Sequence, residues 1–132
     1  MTKHPLTLTQ YIDGKAGHGT GKEHEITNPF DNSSICKLKT ASKDEVDFAI
    51  ENAHATFKSA KWKKMLGRER GELLSNLARI VKRDVEKFAY LESIDPGLPI
   101  RETRMEISTS ALHFEYFAGH AGKIEGSFQD LG

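Results

Sequence analysis

The stretch Thr40-Ala41-Ser42-Lys43-Asp44-Glu45-Val46-Asp47-Phe48-Ala49-Ile50 is where the chain changes period, and its reading decides the fold. Ser42 followed three residues later by Glu45 is a capping box. The hydroxyl and the carboxylate satisfy backbone N–H groups left free at a helix start. Beyond it Val46, Ala49, Ile50, Ala53 and Phe57 recur at helical spacing, which predicts an amphipathic helix from Lys43 to about Ala60.

Upstream of this point the sequence reads as short strands and turns. Leu8–Ile12 alternates modestly and runs into Asp13-Gly14, a pair that tolerates the positive φ angles of a two-residue hairpin turn. Gly17, Gly19 and Gly21 make a flexible tip. Glu23–Thr27 forms a further extended piece, and Asn28-Pro29 with Asp31-Asn32 turns the chain into Ile35–Leu38.

Downstream the helical period persists. Leu73, Leu74, Leu77, Ile80 and Val81 share one face of a helix expected over Gly67–Arg83, and a third helix is expected over Asp84–Ile94. Asp95-Pro96-Gly97 stops it, because proline disfavours α geometry in the residue before it. Pro99 opens a fourth helix with Ile100, Ile107, Ala111 and Phe114 on its apolar face, ending near Gly119. The fold class expected is α+β, with β-hairpins over residues 1–41, four helices over 42–119 and an irregular tail over 120–132, all in a single partial domain over residues 1–132. The helices differ in length and do not form an obvious bundle, so they read as part of something larger.

Composition agrees with that view. The 132 residues hold 19 basic and 19 acidic side chains, and 37% are hydrophobic, with a mean hydropathy of −0.54. This is enough for one domain with a thin core. The balance excludes a globally basic nucleic-acid binder, and a single cysteine excludes an internal disulfide and fits a reducing compartment. No apolar run approaches the length that spans a bilayer, and Met1–Gln10 lacks the apolar core of a signal peptide, so a cytoplasmic location is expected. Charge is segregated all the same: residues 58–83 carry nine basic and two acidic residues, whereas residues 84–132 carry four and nine. Neighbouring helices could offset these blocks.

Four local patterns suggest chemistry. Gly17-His18-Gly19-Thr20-Gly21-Lys22 invites a phosphate-loop reading, but Ala16 stands where the first glycine belongs and Glu23 where a Ser or Thr belongs, so a plain hairpin tip is favoured. Cys36 lies between Ile35 and Leu38 in an apolar strand with no local cation to lower its pKa, and is expected to be a buried structural thiol. The six histidines show neither i, i+4 pairing on a helix nor zinc spacing. Lys58, Lys61, Lys63, Lys64, Arg68 and Arg70 surround Trp62 in a mixture that single-stranded nucleic acid exploits, but a helix end with Trp62 packed on the core is the favoured reading.

The order of segments resembles the N-terminal part of the NAD(P)-dependent aldehyde dehydrogenases, most of all the betaine-aldehyde type. The resemblance is carried by Tyr11-Ile12-Asp13-Gly14-Lys15, Ile26-Thr27-Asn28-Pro29, Asp44–Ile50 with Ala53 and Phe57, Trp62, and Arg68-Glu69-Arg70 with Leu74 and Leu77-Ala78. It continues through Leu91–Glu102 and Tyr116-Phe117-Ala118-Gly119. One departure is Asp95-Pro96-Gly97-Leu98-Pro99, where the family usually reads Asp-Thr-Gly-Lys-Pro.

The resemblance implies oxidation of aldehydes to carboxylic acids with NAD or NADP. It also implies that the elements here are the leading hairpins and helices of the cofactor domain, without its Rossmann core. No residue matches the family's catalytic cysteine, general-base glutamate or cofactor motifs, so the chain alone is expected to be inactive. The resemblance further implies a monovalent cation held at Ile26, Thr27 and Asp95, and a substrate tunnel bordered by Met105 and Thr109. An alternative is a non-catalytic module that docks its exposed helix faces on a full-length aldehyde dehydrogenase subunit or another protein.

Overall fold

The computed structural model describes residues 9–130, which form two small antiparallel sheets and five helices. β1 (Gln10–Ile12) and β2 (Lys15–Gly17) make the first hairpin. Asp13 and Gly14 form its turn at φ 53° and 73°, as the dipeptide requires. Leu8, placed in this strand by its alternation, lies outside the described residues. β3 (Glu23–Thr27) pairs with β4 (Ser34–Lys39), Ile26 opposite Cys36 and Thr27 opposite Ser34, so Ile35 is the extra residue of a bulge.

α1 (Lys43–Lys58) begins with the capping box: the Glu45 N–H donates to Ser42 Oγ at 3.4 Å and the Ser42 N–H to Glu45 Oε2 at 2.7 Å. The helix expected to run to about Ala60 ends at Lys58, and α2 (Ala60–Lys64) is a separate helix capped by Ser59, whose Oγ accepts from the Trp62 N–H at 3.3 Å. The expected four helices are therefore five. A segment of five residues is too short to show a period in the sequence.

α3 (Gly67–Arg83), α4 (Val85–Ile94) and α5 (Ile100–His120) form the core. Leu66 at the start of α3 offers no side-chain acceptor, but its N–H donates to Glu69 Oε2 at 2.7 Å. Small residues set the α3–α5 crossing. A Cβ at Gly71 would lie 2.7 Å from Ala118 O, and one at Gly67 would collide with Ala121 O, so the helices meet backbone to backbone. Ala78, Ala89 and Ala111 are fully buried, as is Thr103, whose hydroxyl donates to Ala89 O of α4 at 2.9 Å. The core is thin, as expected.

α5 ends at His120, one residue past Gly119 and near where it was expected. Among the described residues Gly97, at φ 78°, is the glycine that supplies the left-handed turn between α4 and α5. A Cβ there would sit 2.7 Å from Pro29 Cγ, so the turn packs on the bend between β3 and β4. Residues 123–130 carry no regular structure.

Candidate functional site

The β3–β4 sheet and the α4–α5 pair enclose a groove of about 400 Å³. Ile26, Ile35, Cys36 and Leu38 line it from the sheet, and Phe88, Leu91 and Ile94 from α4. Alternation on the strands and the helical period on α4 turn these apolar side chains toward one another. Glu92 and Asp95 supply the polar part of the lining.

Two of the three residues named for a cation, Ile26 and Asp95, are thereby brought to the same groove. Thr27 follows Ile26 across the bulge, and Asp95 caps the C-terminus of α4 with its N–H donating to Leu91 O at 3.2 Å. Asp95 forms no ion pair among the described residues, where no cluster of three His, Cys, Asp or Glu side chains suits a metal either. The donors available are carbonyl and carboxylate oxygens, which fit a hard cation in chemistry.

Cys36 is not buried as expected. It is only partly buried on the groove wall, because the space between sheet and helix is left open. Met105 and Thr109, assigned to a tunnel wall, lie on the outward face of α5, Met105 at 60% exposure. Leu112 and Tyr116 continue that stripe at helical spacing.

Trp62 departs from its expected place on the core. It is 37% exposed, with the Arg70 guanidinium 4.9 Å from its ring centre and Arg70 Nη2 donating to its carbonyl at 3.1 Å. One cation of the basic block is thus taken up by the tryptophan. The block meets the acidic one as anticipated, Lys82 of α3 pairing with Glu115 of α5 at 2.6 Å, while within the acidic block Glu86 of α4 pairs with Arg104 of α5 at 2.9 Å. Hydrogen bonding to Arg104 holds the Glu86 carboxyl below its ordinary range.

The most perturbed carboxyl is Glu45. Its pKa falls to about 2 because the backbone N–H groups of Ser42 and Thr20 both point at it. The Thr20 N–H donates to Oε2 at 3.1 Å, and Asn52 donates to Asp13 Oδ1 at 3.0 Å. These two bonds tie α1 to the hairpins. The cap itself is legible in sequence, but a bond spanning 25 residues has no local signal. The Gly17–Lys22 loop carries no phosphate cradle. Gly19 is buried against Thr40, and Gly21 N–H donates to Thr40 O at 2.8 Å.

Comparison with known proteins places this architecture. The profile of the "Aldehyde dehydrogenase family" matches residues 16–131. The chain is 37% identical over 118 residues to the (Z)-2-((N-methylformamido)methylene)-5-hydroxybutyrolactone dehydrogenase of Acinetobacter baylyi, covering 89% of this chain and 24% of that protein. It is 30% identical over 122 residues to the betaine aldehyde dehydrogenase of Bacillus subtilis, covering 92% and 25%. Among solved structures it is similar to a NAD-dependent aldehyde dehydrogenase from Sinorhizobium meliloti, with a TM-score of 0.89, 28% identity and coverage of 98% and 26%. A betaine aldehyde dehydrogenase from Staphylococcus aureus in complex with NAD+ gives 0.87, 29%, and coverage of 95% and 25%. The chain spans about a quarter of the length of these proteins.

Proposed function

Because the chain belongs to the aldehyde dehydrogenase family, we propose that its elements serve the NAD(P)-dependent oxidation of an aldehyde to a carboxylic acid, as the start of the fold on which the cofactor domain is built. The observation that carries this reading is the match over residues 16–131 together with the superposition on NAD+-bound relatives. When bound, NAD(P) accepts the hydride, and the chemistry of thiol attack and hydrolysis needs a nucleophile and a general base. The 132 residues by themselves do not turn over. Cys36, the only thiol, sits on a strand that lines an apolar groove.

The test is formation of NADH or NADPH at 340 nm by the purified chain, with betaine aldehyde or a simple aliphatic aldehyde. No signal above background is expected. Sustained turnover would overturn the inactive reading.

Within this function the carbonyls of Ile26 and Thr27 and the Asp95 carboxylate would hold a monovalent cation. The shared groove supports this, as does the oxygen character of the donors. A melting temperature higher in potassium or sodium chloride than in choline chloride, and levelled by Asp95→Asn, is the expected result. Equal melting in all three salts removes the site. Met105 and Thr109, on one exposed stripe of α5, would border the aldehyde's path. A cytoplasmic place for the protein rests on composition, and among the described residues no helix is long and apolar enough to cross a membrane.

A second reading, a non-catalytic module that docks on a dehydrogenase subunit, is favoured by one specific observation. The apolar stripe of α1 is outward along its whole length, with Val46, Ile50 and Phe57 at 44%, 63% and 60% exposure.

A further inference from the structure

The end of α1 and the short α2 bring Lys58, Lys61, Lys63 and Lys64 together, all exposed and none in an ion pair among the described residues. Lysines without a partner are almost never buried, so this face stays in water whatever packs on the apolar stripes. The acidic neighbours are Glu69 and Glu72, which line a cleft with Lys61 and Lys64. Both are engaged: Glu69 Oε2 accepts from the Leu66 N–H at 2.7 Å, and Glu72 stands 4.0 Å from Arg68. Among the lysines lies Trp62, the only tryptophan of the chain. Its ring is held in place, with the Arg70 guanidinium 4.9 Å from the ring centre and Arg70 Nη2 donating to the Trp62 carbonyl. At 37% exposure it presents a fixed aromatic surface amid unneutralised cations. A total charge of zero excludes a globally basic binder but leaves this local patch, and with Trp62 off the core the packing role favoured by the sequence falls away.

We propose that this patch binds single-stranded nucleic acid, with the lysines on the phosphates and Trp62 stacked against a base. An anionic bilayer offers the same charge but fits less well. At about 100° per residue Lys61, Lys63 and Lys64 leave α2 on different sides, which a strand can wrap and a flat surface cannot touch together. Trp62, tethered by Arg70, offers a face for a base to lie on rather than a free ring that sinks among headgroups. The proposal goes beyond the family reading and needs no NAD(P) chemistry.

The experiment titrates the 132-residue chain with an unstructured oligothymidylate at pH 7, following the fluorescence of Trp62, and repeats the titration by anisotropy with a labelled oligonucleotide. Binding that quenches Trp62 is expected, weakening about fiftyfold between about 50 and 200 mM salt, since four phosphate contacts on a single strand give a log–log slope of about −2.8. Lys61→Ala combined with Lys63→Ala should halve that slope. Trp62→Ala should weaken binding about tenfold and leave the slope alone, while Trp62→Phe, which keeps a ring, retains most of the affinity. All three positions are exposed, so the variants keep their fold, which circular dichroism checks. No binding at about 50 mM salt, a slope indifferent to the two lysines, or undiminished binding by Trp62→Ala overturns the proposal. Polyphosphate held as tightly as the oligonucleotide overturns the role of the base, and phosphatidylserine vesicles bound in its place overturn the choice of partner.

Discussion

Replacing Gly71 by alanine tests the α3–α5 crossing directly. In an open helix the exchange stabilises by about 1 kcal/mol, because alanine loses less backbone entropy on folding. At Gly71 the new methyl group would lie 2.7 Å from Ala118 O, whereas ordinary contact begins at 3.4 Å. The missing distance, about 0.7 Å, cannot be recovered by a rotamer, since the obstacle is backbone. Overpacking of this kind costs about 1–3 kcal/mol, so the net change is a loss of roughly 1 kcal/mol. Gly119 supplies the control: it lies in α5, and a Cβ there meets nothing within 4 Å. Gly119→Ala should gain about 0.5–1 kcal/mol, which separates the two variants by about 2 kcal/mol, or roughly 6–8 °C in Tm for a chain of this size. Urea denaturation followed at 222 nm measures both. A Gly71→Ala chain as stable as Gly119→Ala refutes the close crossing.

Thr103→Val keeps the shape and removes the buried hydroxyl that donates to Ala89 O, which should cost about 1 kcal/mol by the same urea assay. Glu45→Gln probes the cap through pH. A carboxyl lowered to about 2 contributes stability in full above its unfolded value near 4.5, and this is lost as pH falls toward 2. The wild-type chain should therefore lose its advantage over Glu45→Gln across that interval, and a pH-independent difference in Tm counts against the paired hydrogen bonds. Lys82→Ala and Glu115→Ala, combined in a double-mutant cycle, should show coupling below about 1 kcal/mol that shrinks in 1 M salt, because both side chains are near half exposed.

What could be read from the sequence was whatever is decided within a few residues. Ser42 and Glu45 announce their helix because both partners of the cap lie in one turn, and Asp13-Gly14 announces its hairpin because only the turn's φ angles matter. The end of α5 was legible to within a residue: the helix closes at His120, although Gly119 itself stays helical and is not among the glycines at positive φ. The candidate site was legible only in pieces. Ile26 and Asp95 are 69 positions apart by number, and they share a groove only through the packing of the β3–β4 sheet on α4, beside which the Gly97 turn meets Pro29. The period of α1 revealed an apolar side but not whether anything lay against it.

α1 is fixed to the molecule by a capped N-terminus, two polar ties to the hairpins and its junction with α2, and it buries no side chain. Its opening therefore exposes little new surface, and its amides should exchange with solvent well before those of α3 and α5, whose opening disrupts the core. The helix is thus a built-in gauge. Whatever settles on it slows the exchange of residues 46–57 first, and slows it by the free energy of settling, before any change registers in the global melt.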